Sequence, residues 1–239
     1  MAAAFAALLG VEIYLAYSRE YLPTTPPLEL GGSFGPRAGE PLRFTVLGDS
    51  TAAGLGAGSP QHAYATVLSE RLGERGWRVE LTAFGMSGAR VADVLNDQVP
   101  SAIEADPDLI FVGIGANDST HLTSLDDVER DMGRLIDQLS ETDATLVVAG
   151  PPDMRADAWL EPLRSIVGWR GRRVADRIEA AARERGVPTV QLAEEAGPFF
   201  ASNPEEAYAE DMFHPGPGGY RAWADAIFPV LIEALDRRG

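Results

Sequence analysis

Phe44-Thr45-Val46-Leu47-Gly48-Asp49-Ser50-Thr51 is the stretch on which the reading of the chain turns. Four apolar or β-branched residues in a row suit a buried strand. Gly48-Asp49 then turns the chain. Ser50 follows at the strand's carboxyl end, ahead of the small residues Thr51-Ala52-Ala53-Gly54. Open α/β sheets bind their ligands at that edge. A helical turn starting there would aim its free N–H groups at whatever the serine attacks. Taken alone, the stretch is better explained as a plain strand-to-loop turn with Ser50 as N-cap, so the rest of the chain decides.

Outward from this strand, strand and helix patterns alternate. Strands are expected at 43–47, 78–84, 109–114, 145–149 and within 187–192. The run at 109–114 is apolar throughout, as a central parallel strand should be. Helices are expected at 63–75, at 91–98 up to a break at Pro100, from Ser124 to about 140, at 162–185 with Gly186 as the stop, and at 220–235. Ser124-Leu125-Asp126-Asp127 resembles a capping box with Asp in the Glu position. Alternation of this kind predicts an α/β fold, a three-layer α/β/α sandwich around a five-stranded parallel sheet, flavodoxin-like with strand order 2-1-3-4-5.

Composition narrows the function classes. At 239 residues and 45% hydrophobic, one α/β domain is expected, preceded by an N-terminal extension. The formal net charge is −16, and all 20 basic residues are arginine. Such a surface repels phosphate backbones, so no nucleic-acid partner is expected, and it disfavours anionic lipid. The absence of lysine excludes a Walker-A loop, a Schiff base and a Ser-Lys dyad. The absence of cysteine excludes thiol catalysis, disulfides and thiolate metal sites.

The extension has two parts. Residues 1–20 hold an apolar run at 2–17 interrupted by Glu12. It is slightly short for a membrane span and lacks a clear positive start and cleavage site. A membrane anchor or export segment is the expectation, which would make the protein membrane-associated or exported. A helix docked on the domain, and with it a cytoplasmic protein, is the alternative. Residues 21–41, rich in Pro, Gly and Thr, read as a linker, which leaves 42–239 as the domain.

Four loops carry residues with chemistry: Gly48-Asp49-Ser50, Gly85-Met86-Ser87-Gly88, Gly113-Ile114-Gly115-Ala116-Asn117-Asp118, and Asp211-Met212-Phe213-His214-Pro215-Gly216. Three follow successive strands, so in a parallel sheet they share one edge. A serine hydroxyl needs a base, and His214 is the best one available because imidazole titrates near neutrality. Asp211, three residues earlier, is placed to orient its ring. The backbone N–H groups of Ser50 and Gly88 and the side-chain amide of Asn117 suit an oxyanion hole.

This set resembles the GDSL or SGNH hydrolases over 42–235, with the four motifs in that family's order. Thr51 stands where Leu is common, and Ala116 where a second Gly often stands. The resemblance implies the SGNH fold and a serine ester hydrolase: an esterase, lipase, thioesterase or carbohydrate O-deacetylase acting on a small-molecule, lipid or glycan ester. No cofactor or metal is implied. Acyl transfer on the same site stays open, as does an inactive, membrane-tethered binding domain. Oligomeric state is not legible.

Two rival motifs are weaker. Gly85-Met86-Ser87-Gly88-Ala89 nearly spells a Gly-x-Ser-x-Gly elbow, with Ser87, Asp153 and His214 in α/β-hydrolase order. Neither Gly54-Leu55-Gly56-Ala57-Gly58 nor Gly113-Ile114-Gly115 completes a dinucleotide fingerprint. His62 and His121 are expected as exposed loop residues, His121 with substrate contact as its alternative. Asp49 and Asp118 are expected to brace loops. Tyr208, Phe213, Phe199 and Phe200 are expected to pack in the core or to wall an acyl pocket.

Overall fold

The computed structural model describes Ala2–Arg237. Its strands are β1 (Gly31–Phe34), β2 (Glu40–Gly48), β3 (Trp77–Ala83), β4 (Leu109–Gly113), β5 (Thr145–Ala149) and β6 (Thr189–Val190). They form one sheet in the order β1-β3-β2-β4-β5-β6. From β3 to β6 every pairing is parallel, with Phe44 opposite Leu81 on one side and Leu109 on the other. Those five strands reproduce the expected order 2-1-3-4-5. The sheet is mixed rather than purely parallel, because β1 adds an antiparallel edge on β3, Gly31 facing Thr82 and Phe34 facing Val79.

That edge also revises the domain boundary. The second half of 21–41 is not a linker: it carries β1, and Leu28 and Leu30 pack on the core. Gly31-Gly32-Ser33-Phe34 has neither alternation nor β-branched residues. It is a strand only because β3 offers an unpaired edge, a tertiary cause invisible to local patterning.

The helices are α1 (Ala2–Ser18), α2 (Tyr64–Glu74), α3 (Val91–Asp93), α4 (Val99–Glu104), α5 (Ala116–Thr120), α6 (Leu125–Leu139), α7 (Leu163–Glu184), α8 (Leu192–Glu195), α9 (Gly197–Ser202), α10 (Pro204–Ala207) and α11 (Pro217–Asp236). Strand alternation divides the core in two. Phe44, Val46 and Phe111 face α2 and α11, where Leu68 and Ile227 are buried. Leu47, Ile110 and Val112 face α6 and α7, where Ile136 and Ile178 are buried. Each such side chain contributes about 1.5–3 kcal/mol on burial.

Two local expectations are corrected. Pro100 does not end the helix. α3 runs through a wide π turn (Val94–Gln98) into α4, and Pro100 lies in the first turn of α4, where its missing N–H leaves no bond unmade. Ser124 is the N-cap of α6, but its side chain caps nothing. Asp126 and Asp127 in the first turn complement the helix dipole instead.

α1 is apolar on every side and mostly exposed. Among the described residues, no helix is long and apolar enough to cross a membrane.

Candidate active site

The loops after β2, β3 and β4 meet at the carboxyl edge of the sheet, and the segment before α11 folds over them. Together with α1 and α7 they enclose a cavity of about 710 Å³. Ser50, Gly88, Asn117 and His214 all line it. Asp211 stands behind His214.

Ser50 opens a helical turn. Asp49 O accepts the Ala53 N–H at 3.1 Å, and Ser50 O accepts the Leu55 N–H at 2.9 Å. Asp49 braces this turn: its Oδ1 accepts both the Thr51 N–H (2.9 Å) and the Thr51 hydroxyl (2.8 Å). Burial pushes the Asp49 carboxyl up. From beneath, buried Gln98 holds Gly48 from both sides. Its Oε1 accepts the Gly48 N–H at 3.0 Å, and its Nε2 donates to Gly48 O at 2.8 Å. Ser50 itself is 9% exposed.

The Asp211–His214 pair is fixed by a tight turn. Asp211 Oδ1 accepts the N–H groups of Phe213 (3.0 Å) and His214 (2.9 Å). Asp211 Oδ2 lies 2.6 Å from His214 Nδ1. Burial pushes the Asp211 carboxyl up, but the hydrogen bonds from His214 and Phe213 outweigh it and hold the pKa at about 2. A carboxylate accepts, so Nδ1 carries the proton and Nε2 is left as the basic nitrogen. Phe213 sets its ring edge-on to the imidazole, centroids 4.9 Å apart. A glycine ties this turn to the serine loop. Gly56 has φ +92°, and a Cβ there would stand 2.3 Å from Pro215 O. Among the described residues no hydrogen bond joins Ser50 Oγ to His214. Catalytic contacts of this kind are often long without ligand.

Ser50, Gly88 and Asn117, the residues of the expected oxyanion hole, line the same cavity. The backbone N–H groups of Ser50 and Gly88 have no acceptor among the described residues. Gly88 has φ +83°, and a Cβ there would meet nothing. Its glycine is therefore required by backbone conformation rather than by crowding. Asn117, in the first turn of α5, donates one Nδ2 hydrogen to Ala89 O at 3.0 Å, which ties the third loop to the second. Its other amide hydrogen is left over. Asp118 braces the same region by accepting the Val91 N–H at 3.0 Å, and burial pushes its carboxyl up.

The remaining sequence expectations sort as follows. Asp153 is engaged by Arg155 and His214 by Asp211, so a Ser87-Asp153-His214 arrangement is not assembled, although Ser87 lines the cavity. His62 is exposed. His121 is exposed too, but on the cavity rim. Phe200, Tyr208 and Phe213 line the cavity; Phe199 packs edge-on against Phe200 instead.

Several neighbours of the site were not singled out from sequence. Gln98 is one. The segment after α1 is another: Leu22 N–H donates to Asp211 Oδ2 at 3.3 Å, and Trp159 Nε1–H donates to Tyr21 Oη at 3.1 Å. Tyr21 also meets Phe213 edge-on at 5.4 Å. Trp159 lies beyond the reach of local patterning, and so does Gln98, whose partner Gly48 is 50 residues away.

The α/β/α architecture is that of the SGNH hydrolases. The solved structure of TesA superposes with a TM-score of 0.66 at 18% identity, over 80% of this chain and 99% of that one. A lipase/acylhydrolase from Enterococcus faecalis gives 0.65 at 16% identity, over 79% and 94%. Residues 46–222 match the model of the GDSL-like lipase/acylhydrolase family, and the chain belongs to that family. The GDSL-like esterase Rv1075c of Mycobacterium tuberculosis is 30% identical over 201 residues. That match covers 82% of this chain and 64% of the relative, so this chain spans under two thirds of the relative's length.

Proposed function

We propose that the protein is a serine ester hydrolase acting through an acyl-enzyme on Ser50. The Ser50 hydroxyl gives its proton to His214 Nε2 as Oγ bonds to the acyl carbon. The carbonyl oxygen becomes an anion facing the N–H groups of Ser50 and Gly88 and the spare Asn117 amide hydrogen. Collapse breaks the carbon–oxygen bond to the alcohol, which leaves with the proton held by His214. Water then attacks the acyl-enzyme with His214 as base, restoring Ser50. Asp211 holds the imidazole in the required tautomer and stabilises its cation. The observation that carries this reading is the 2.6 Å Asp211–His214 contact on the wall of the cavity that Ser50 also lines.

Hydrolysis of p-nitrophenyl acetate by wild type, Ser50→Ala and Ser87→Ala tests it. Ser50→Ala is expected to lose about 10⁴-fold or more in kcat. Ser87→Ala is expected to keep most of it. Full activity in Ser50→Ala would refute the assignment.

The same reading places the protein at a lipid surface through residues 2–17. Phe5, Leu8, Val11, Tyr14 and Leu15 are exposed around α1. At about 1.5 Å per residue its 17 residues suit lying on a bilayer better than crossing one. Given the net charge of −16, the surface it suits is a zwitterionic one. Co-sedimentation with phosphatidylcholine vesicles, lost in Phe5→Ser/Leu8→Ser, is the expected result. Equal sedimentation of both proteins would remove the proposal.

A further inference from the structure

We infer that α1 is a wall of the substrate cavity, so that the preferred substrate is an ester carrying a long hydrocarbon chain. The inference rests on the hydrolase reading above and concerns what that site accepts.

Leu9 and Ala16 are half-buried, and between them Glu12 is only 4% exposed. Spacings of three and four put these residues on one face of the helix. That face borders the cavity: Leu9, Ile13, Ala16 and Tyr17 line it, as do Ile166 and Val167 of α7, Ser50 and His214. Among the described residues of α1 the one that is buried is thus an acid in an apolar helix, and it has a specific partner. Glu12 Oε2 accepts the N–H of Leu163, the first residue of α7, at 2.8 Å. The N-cap of α7 is Pro162, with no side-chain cap. Glu12 therefore caps α7 from another helix, at the end where a carboxylate is favoured. Arg19, donating to Ala158 O at 3.3 Å, and Tyr21, donating to Ala16 O at 3.1 Å, hold the far end.

A volume of about 710 Å³ lies within the range of sites that enclose a ligand of drug size. An acetyl group would leave most of it unfilled. The apolar walls of α1 and α7 match a chain of methylenes on either the acyl or the alcohol side of the ester.

Three esters separate the possibilities: p-nitrophenyl acetate, p-nitrophenyl decanoate and decyl acetate. Wild type is expected to turn over at least one ten-carbon ester with a higher kcat/KM than the acetate. Ile13→Trp and Ala16→Phe, which project bulk into the cavity, are expected to lower that long-chain to short-chain ratio by about tenfold or more. The ester that responds identifies which side carries the chain. Ala7→Ser, at an exposed position of α1 that does not line the cavity, is expected to leave the ratio unchanged. Glu12→Leu is expected to lower it and Glu12→Gln to restore it, since the amide oxygen can still accept from Leu163. A ratio that stays at the wild-type value in both Ile13→Trp and Ala16→Phe, even if both rates fall, overturns the inference. Ester hydrolysis that survives Ser50→Ala would instead strike the hydrolase reading.

Discussion

The loops at the carboxyl edge of the sheet and the segment at 2–41 both border one cavity, yet they are held differently. In the loops, the acid–base pair and the serine turn are braced by residues close in sequence: Asp211 reaches its own turn and His214, and Asp49 reaches Thr51. In the N-terminal segment the contacts that seat it on the domain are long-range: Glu12 to Leu163, Tyr21 to Trp159, Leu22 to Asp211. The first region holds the proposed chemistry. The second closes over it and sets what can enter.

If that division is right, damage to the loops lowers all ester hydrolysis alike, whereas damage to α1 sorts substrates. The largest effect expected is His214→Ala, with kcat down about 10⁴-fold or more on every ester, measured by steady-state kinetics. Asn117→Ala should follow at about 10²–10³ in kcat with little change in KM, because one oxyanion donor is removed.

Acid stability is the next in size. The folded Asp211 pKa of about 2 lies below the usual carboxylate value, so its ionisation stabilises the fold above pH ~4. That contribution, about 2 kcal/mol, is lost as pH falls from ~4 towards 2. Urea titrations across that window should show wild type losing more stability than Asp211→Asn, whose side chain does not titrate. Parallel slopes would mean that the pair is not formed. The smallest effect is Glu12→Leu, which removes the cap on α7 and should cost about 1 kcal/mol in the same titration at pH 7.

The asymmetry explains what could be read from the chain. The five parallel strands followed from apolar periodicity and their alternation with helices, and their order from the flavodoxin-like sheet that such alternation builds. Ser50, Gly88, Asn117, Asp211 and His214 could be proposed from the sequence because each chemical role admits few residue types and the motifs come in a fixed order. β1 was not legible, because Gly31-Gly32-Ser33-Phe34 is a strand only against β3. Glu12 was read as a flaw in an apolar run. Its meaning depends on the Leu163 N–H at the start of α7, 151 residues away, which no local window contains. Gln98 acts on Gly48 across 50 residues in the same way.

The central claim is that Ser50 is the nucleophile and that His214 activates it. A fluorophosphonate probe followed by peptide mass spectrometry tests both at once. The account predicts one adduct, on the peptide containing Ser50, forming rapidly in wild type and far more slowly in His214→Ala. An adduct on Ser87, or equal labelling of Ser50 with and without His214, would contradict it.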